Sequence, residues 1–111
     1  MEPLCSWSTE VGFPVTICDK EGIIVGMNHK SIEYYSDEGG DTLLGKSLLD
    51  CHPEPSRSKL KDLLRNPRPN TYLTQSKEEK IFVHQTPWFV NGIYLGFVEI
   101  LIRFPSPAEE Y

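Results

Sequence analysis

Cys51 and His52 are the first residues in this sequence that could do chemistry, because they set a thiol beside an imidazole. Such a pair can ligate a metal or haem, or act as nucleophile and base. Neighbours in sequence point in different directions, however, and no third group stands ready to orient the imidazole. Pro53 follows, so the same residues also read as a turn leading into a helix, with Cys51 packed and His52 capping. His84 lies in an alternating apolar run. It shares a face with Phe82 and Thr86, opposite Val83 and Gln85. If that face lines a pocket, the imidazole could hydrogen-bond a carboxylate ligand or coordinate haem iron. Otherwise it is a surface or edge histidine, and His29, near a helix start, is expected to be exposed. Arg57 opens the longest helical stretch, where backbone N–H groups could help it hold an anion; the alternative is a surface ion pair with Glu54. Tyr34 and Tyr72 add polar tips and Phe97 an apolar wall, while most other aromatics are expected to fill the core. The candidate ligand-binding set is therefore Tyr34, Arg57, Tyr72, His84, Thr86 and Phe97, with no catalytic or metal-ligating residue.

Several chemistries have no support. Gly40 to Ser47 (GDTLLGKS) fits GxxxxGKS/T by letter, but it lies among glycine-linked helical turns and not between a strand and a long helix, so no phosphate cradle is expected; GxGxxG and the GxSxG of a nucleophile elbow are missing. Glu78-Glu79 sits in a polar turn and reads as solvating. Cys5, Cys18 and Cys51 cannot all pair within one chain, and without a CxxC a zinc site of the usual spacing is not expected. Free thiols point to a reducing compartment. The start of the sequence lacks a cationic segment followed by an apolar run, and no apolar stretch approaches the roughly 20 residues that span a bilayer. A cytoplasmic location with no membrane contact is expected. The net charge is -5, and the only basic cluster, Arg57, Lys59, Lys61, Arg65 and Arg68, is interrupted by Asp62. It reads as a solvated helix face rather than a duplex-binding surface, so no direct nucleic-acid partner is expected. An enzyme is not expected either.

The 111 residues, 39% hydrophobic, suffice for one domain with a modest core. Leu4, Trp7 and Val11 recur at helical spacing and predict a short N-terminal cap over residues 1–12. Pro14 to Asp19 and Gly22 to Met27 read as two strands joined by the turn Asp19-Lys20-Glu21-Gly22, whose Asp bonds back to the backbone. Asn28 is placed to cap a short helix reaching Tyr35. Glycine-linked helical turns follow, then a longer helix over Arg57 to Asn66, with Leu60, Leu63 and Leu64 on one face and Pro67 and Pro69 stopping it. Thr71 to Gln75 returns to strand composition. Ile81 to Val90 and Ile93 to Phe104 flank Asn91-Gly92, a strong hairpin signal. In the last run Val98, Ile100, Ile102 and Phe104 alternate with Glu99 and Arg103, which predicts one wet face. Pro87 predicts a bulge or an early strand end. The order gives an α+β domain over residues 13–104, with an antiparallel sheet covered by helices on one face and a frayed tail over 105–111.

Several strings in this order resemble the PAS family. Asp19-x-x-Gly22 with Ile23 to Asn28 resembles the family's first hairpin, Leu44-Gly45-Lys46-Ser47-Leu48-Leu49 its linker before the long helix, and Asn91-Gly92-x-x-x-Gly96 its closing hairpin. Asp50 to Arg57 resembles a bacterial subgroup. His29-Lys30-Ser31 departs from the small apolar pair that often follows the Asn. The resemblance implies a five-stranded antiparallel sheet of order 2-1-5-4-3 with helices enclosing a pocket. It also implies ligand sensing, dimerisation and relay to another protein. The family's haem binders usually draw an axial histidine from the long helix, which has none here. Its flavin-binding light sensors carry an Asn-Cys-Arg-Phe-Leu-type string, also missing. The expected function is a signalling module that binds a small molecule, a protein partner or both, with no cofactor assigned. A ligand-free dimerisation scaffold is the alternative, and a haem or redox sensor a more distant one. Leu4, Trp7 and Val11, with the outer sheet face, would form the dimer contact. The pocket is expected between the helix opening at Ser56 and the strands carrying His84 and Phe97.

Overall fold

The computed structural model describes residues 4–75 and 77–105. The predicted frayed tail therefore falls, from residue 106 onward, outside the described residues. Five strands, β1 (Val15–Asp19), β2 (Ile24–Met27), β3 (Asn70–Gln75), β4 (Glu79–Val90) and β5 (Ile93–Pro105), form one antiparallel sheet. Its order is β2-β1-β5-β4-β3, as the resemblance implies. Four α-helices accompany it: α1 (Ser6–Thr9), α2 (His29–Tyr34), α3 (Leu48–Cys51) and α4 (Ser56–Arg65). Two 3-10 turns (Ser36–Glu38 and Gly40–Leu43) lie between α2 and α3.

Turn chemistry builds the two hairpins. Asp19 Oδ1 accepts hydrogen bonds from the backbone N–H groups of Glu21 and Ile23, at 3.0 and 2.9 Å. That fixes the β1–β2 turn. Asn91 and Gly92 both take positive φ, 52° and 79°, as the tight primed turn between twisted strands requires. Pro87 does not end β4; the pairing shifts one step later, between Trp88 and Phe89. At Gly96 β5 closes onto β1 so tightly that any Cβ would clash with the Cys18 carbonyl oxygen. Only glycine fits that contact.

Asn28 joins these parts. Its side chain is fully buried and spends all its hydrogen-bonding capacity on backbone. Oδ1 accepts from Val15 N and Ser31 N at 2.9 Å each; Nδ2 donates to the Ser8 and Phe13 carbonyl oxygens at 2.9 Å each. One amide thus caps α2, starts β1 and anchors α1. Ser31, also fully buried, hydrogen-bonds the Thr16 hydroxyl and so holds α2 on the sheet. The predicted N-terminal cap is a single turn: it buries Ser8 and leaves Trp7 63% exposed.

Two apolar clusters form the core. Cys18, Leu63, Leu64 and Phe97 pack α4 onto the sheet, with Leu60 and Tyr94 against them. Ile24, Met27 and Leu43 pack the segment between α2 and α3 onto β2.

The register corrects the sequence reading of the last strand. Glu99 pairs with Thr16 and Gln85, on the helix side of the sheet. The apolar row Val98, Ile100 and Ile102 turns to the outer face instead. There Leu73, Phe82 and Ile102 stand directly opposite one another across three strands and are 49%, 44% and 42% exposed.

Asn28→Ala strands two backbone donors and two carbonyls at once. It is expected to cost at least about 3 kcal/mol, read as a lower urea midpoint at unchanged slope. A loss below about 1 kcal/mol would show that Asn28 does not join the parts.

Candidate functional site

A cavity of about 460 Å³ lies between the helices and the sheet. Ile24, Met27, Leu43, Leu48, Leu63 and Phe97 supply apolar wall. An adjoining cavity of about 280 Å³ shares His52, Leu60, Leu63 and Gln85 with it and adds Ser56, Lys59, Asn70 and Tyr72. The two form a chamber and a more polar vestibule between α4 and the β3 edge.

A hydrogen-bonded chain of side chains crosses the chamber. The Tyr35 hydroxyl, one residue past α2, donates to Glu99 Oε1 at 2.9 Å. Gln85 Nε2 donates to Glu99 Oε2 at 2.9 Å, and Asn70 Nδ2 donates to Gln85 Oε1 at 2.9 Å. The chain therefore links the end of α2 to β5, β4 and the edge strand β3. Burial, then the Glu99 carboxylate beside it, pushes the Tyr35 phenol far above its ordinary range, so it stays a donor. Burial likewise pushes the Cys18 thiol up, to about 11.

The sequence-predicted residues divide. Phe97 lines the chamber and Tyr72 the vestibule. His84 and Thr86 line neither cavity, because β4 turns Val83 and Gln85 toward the helices. His84 Nδ1 lies 2.8 Å from the Thr71 hydroxyl, to which it is hydrogen-bonded. Arg57 is exposed and lines neither; its expected partner Glu54 instead accepts from the Ser58 hydroxyl and backbone N–H at 2.8 Å. Tyr34 also lies outside both, packed edge-on against Tyr35 with the Arg103 guanidinium 5.4 Å over its ring. Cys51 and His52 both contribute to the chamber wall. His52 Nδ1 lies 2.6 Å from the Leu48 carbonyl oxygen, so His52 closes the end of α3 and does not cap the helix that follows, and Cys51 is exposed, not packed as the turn reading expects. Among the described residues, no group of three or more His, Cys, Asp or Glu is arranged to hold a metal ion.

Sequence reasoning missed Glu99, Gln85 and Tyr35. A signal existed: Phe97 and Leu101 share the parity of Glu99, so Glu99 and Arg103 alone do not mark that face of β5 as the wet one.

No family model and no curated protein matches the chain by sequence. Solved structures do match. The Aer2 receptor of Vibrio cholerae, described as a dual PAS-heme oxygen sensor, superposes with a TM-score of 0.62 at 20% identity, over 82% of this chain and 93% of that one. The PAS domain of the histidine kinase ThkA gives 0.63 at 17% identity, over 80% and 96%. The PAS domain of Bordetella pertussis BvgS gives 0.62 at 17%, over 86% and 79%. This chain has the PAS fold. Its chamber lies between the PAS sheet and the helices that cover it.

The cysteines of this PAS fold should differ sharply in reactivity. Cys5 and Cys51 are exposed, whereas Cys18 is buried with a disfavoured thiolate. At pH 8 a charged maleimide should label Cys5 and Cys51 within minutes and leave Cys18 unlabelled until denaturant is added. Because folding raises the Cys18 value from 9.0 to about 11, its contribution to stability is kept below pH 9 and falls as pH rises toward 11. Labelling of Cys18 at the rate of the other two would contradict this.

Proposed function

We propose that the chain is a sensory signalling module that does no chemistry of its own. On this reading the chamber takes a small molecule and the occupied state is passed on through contact with a signalling protein or a second copy. The single observation that carries it is the chamber itself: apolar walls with a few convergent polar groups, Tyr35, Gln85 and Glu99. That is how small-molecule sites are built. Phe97 and Tyr72 join these as proposed ligand contacts. The PAS fold supports the reading, since the similar structures include the PAS domain of a histidine kinase. The free thiols suit a reducing compartment such as the cytoplasm. Among the described residues no helix is long and apolar enough to cross a membrane.

Native mass spectrometry of protein purified gently from cells tests the reading. A co-purifying small molecule is expected, as is a rise in Tm of about 5 °C or more with a matching metabolite. Leu60→Trp, which fills the space between chamber and vestibule, should abolish both while leaving the chain folded. A clean apo mass with no thermal shift across a broad metabolite panel would remove the sensor reading.

A second reading, self-association, is favoured by the exposed outer row Leu73, Phe82 and Ile102. Sedimentation equilibrium at rising concentration should then show dimer, and Phe82→Asp should leave monomer with Tm changed by no more than about 3 °C. Monomer at all concentrations would overturn it.

A further inference from the structure

We propose that the chamber selects a small organic cation, an apolar body carrying an ammonium or amidinium head that docks on Glu99. The inference rests on the reading of the chamber as a ligand site and adds the chemical class of the ligand.

The first support is the charge of the lining. Two carboxylates, Glu38 and Glu99, line the chamber, and no lysine or arginine does. Lys59 belongs only to the vestibule. Cys18, Tyr35, Cys51 and His52 also line the wall; burial raises the Cys18 thiol to about 11 and the Tyr35 phenol further, so neither of those two adds charge at physiological pH. The field inside therefore favours cations, and an anion would meet the half-buried Glu99 within and the exposed Glu38 at the rim.

The second support is the state of Glu99. A carboxylate offers about four acceptor positions. Glu99 receives one neutral donor on each oxygen, from Tyr35 and Gln85, which leaves about half its capacity open. No ion pair among the described residues includes it. The cation on the same face of β5, Arg103, is engaged with Glu79 and the Tyr34 ring. One donor to Glu99 is itself oriented by a neighbour. Asn70 occupies the Gln85 oxygen, so the Gln85 amide must present its N–H to Glu99. The carboxylate is thus held in place before any ligand arrives and keeps unused acceptor sites on the cavity side of the sheet.

The third support is the apolar part of the lining. Ile24, Met27, Leu43 and Leu48 can bury an alkyl or aryl body, which a small inorganic cation does not have. Charge-assisted hydrogen bonds are roughly twice as strong as neutral ones. An amine should therefore bind about tenfold or more tighter than an alcohol of the same shape.

Calorimetry of the full chain at pH 7 tests this with three probes of one shape: 4-phenylbutylamine, 4-phenylbutanol and 4-phenylbutanoate. The amine should bind at least about tenfold tighter than the alcohol, with the carboxylate weakest. Glu99→Gln should bring the amine down to the level of the alcohol. Glu38→Gln, on an exposed turn, should cost a smaller part of the preference and keeps the test decisive if Glu99→Gln does not fold. Leu60→Trp keeps both charges but fills the space, so the amine should no longer bind it. Equal binding of amine and alcohol to the unaltered chain, or tightest binding of the carboxylate, would overturn cation selection while leaving the chamber a ligand site. Undiminished amine binding to Leu60→Trp would place the cation on the acidic surface and overturn it as well. If none of the three probes binds, the chamber does not accept such a body and this inference falls, while the ligand-site reading is decided by the native mass and the metabolite panel.

Discussion

The structure depends on one buried amide. Asn28 has two donors and two acceptor positions, and all four meet backbone groups of segments far apart in the chain. No apolar residue could replace it, because the groups it satisfies would remain buried and unpaired. Its position also fixes where α2 begins, and so where α2 ends. Seven residues on, Tyr35 is delivered to Glu99 across a sequence gap of 64 residues. The polar chain in the chamber thus begins at a helix whose starting point the amide sets.

Local chemistry made much of the fold legible. Asp19 with Gly22, and Asn91 with Gly92, mark turns whose geometry few other residues permit, and each turn dictates its hairpin. Asn28 as a helix cap was readable for the same reason, though its ties to Ser8 and Phe13 were not, since nothing local specifies them. The strand faces were harder. Alternation reveals that Glu99 and Ile100 point opposite ways but not which of them lies under the helices. Polarity was a poor guide because both faces of β5 are largely apolar, and the one carrying the carboxylate is the covered one. The same ambiguity put His84 and Thr86 in the expected pocket in place of Gln85. A single error of face accounts for most of what the sequence concealed about the site.

The sheet is consequently two-sided in an uncommon sense. Its covered face carries the hydrogen-bonded polar chain, and its open face carries Leu73, Phe82 and Ile102 in a row. Along β4 the two faces alternate residue by residue: Phe82 outward, Val83 inward, His84 outward, Gln85 inward. A displacement of the backbone that suits Gln85 necessarily moves His84 and Thr86 as well. Inner and outer events are separated by one peptide unit, not by a domain.

The indole of Trp88 donates to the carbonyl oxygen of Cys18 at 3.3 Å, and the thiol of that same residue lines the chamber. Trp7, the other tryptophan in the chain, stands mostly in water. Trp88 is half-buried, so a water-borne quencher would dim Trp7 more than Trp88. What remained would come mainly from the ring tethered to the wall of the chamber. The molecule in effect carries its own optical gauge of β1, readable without any label.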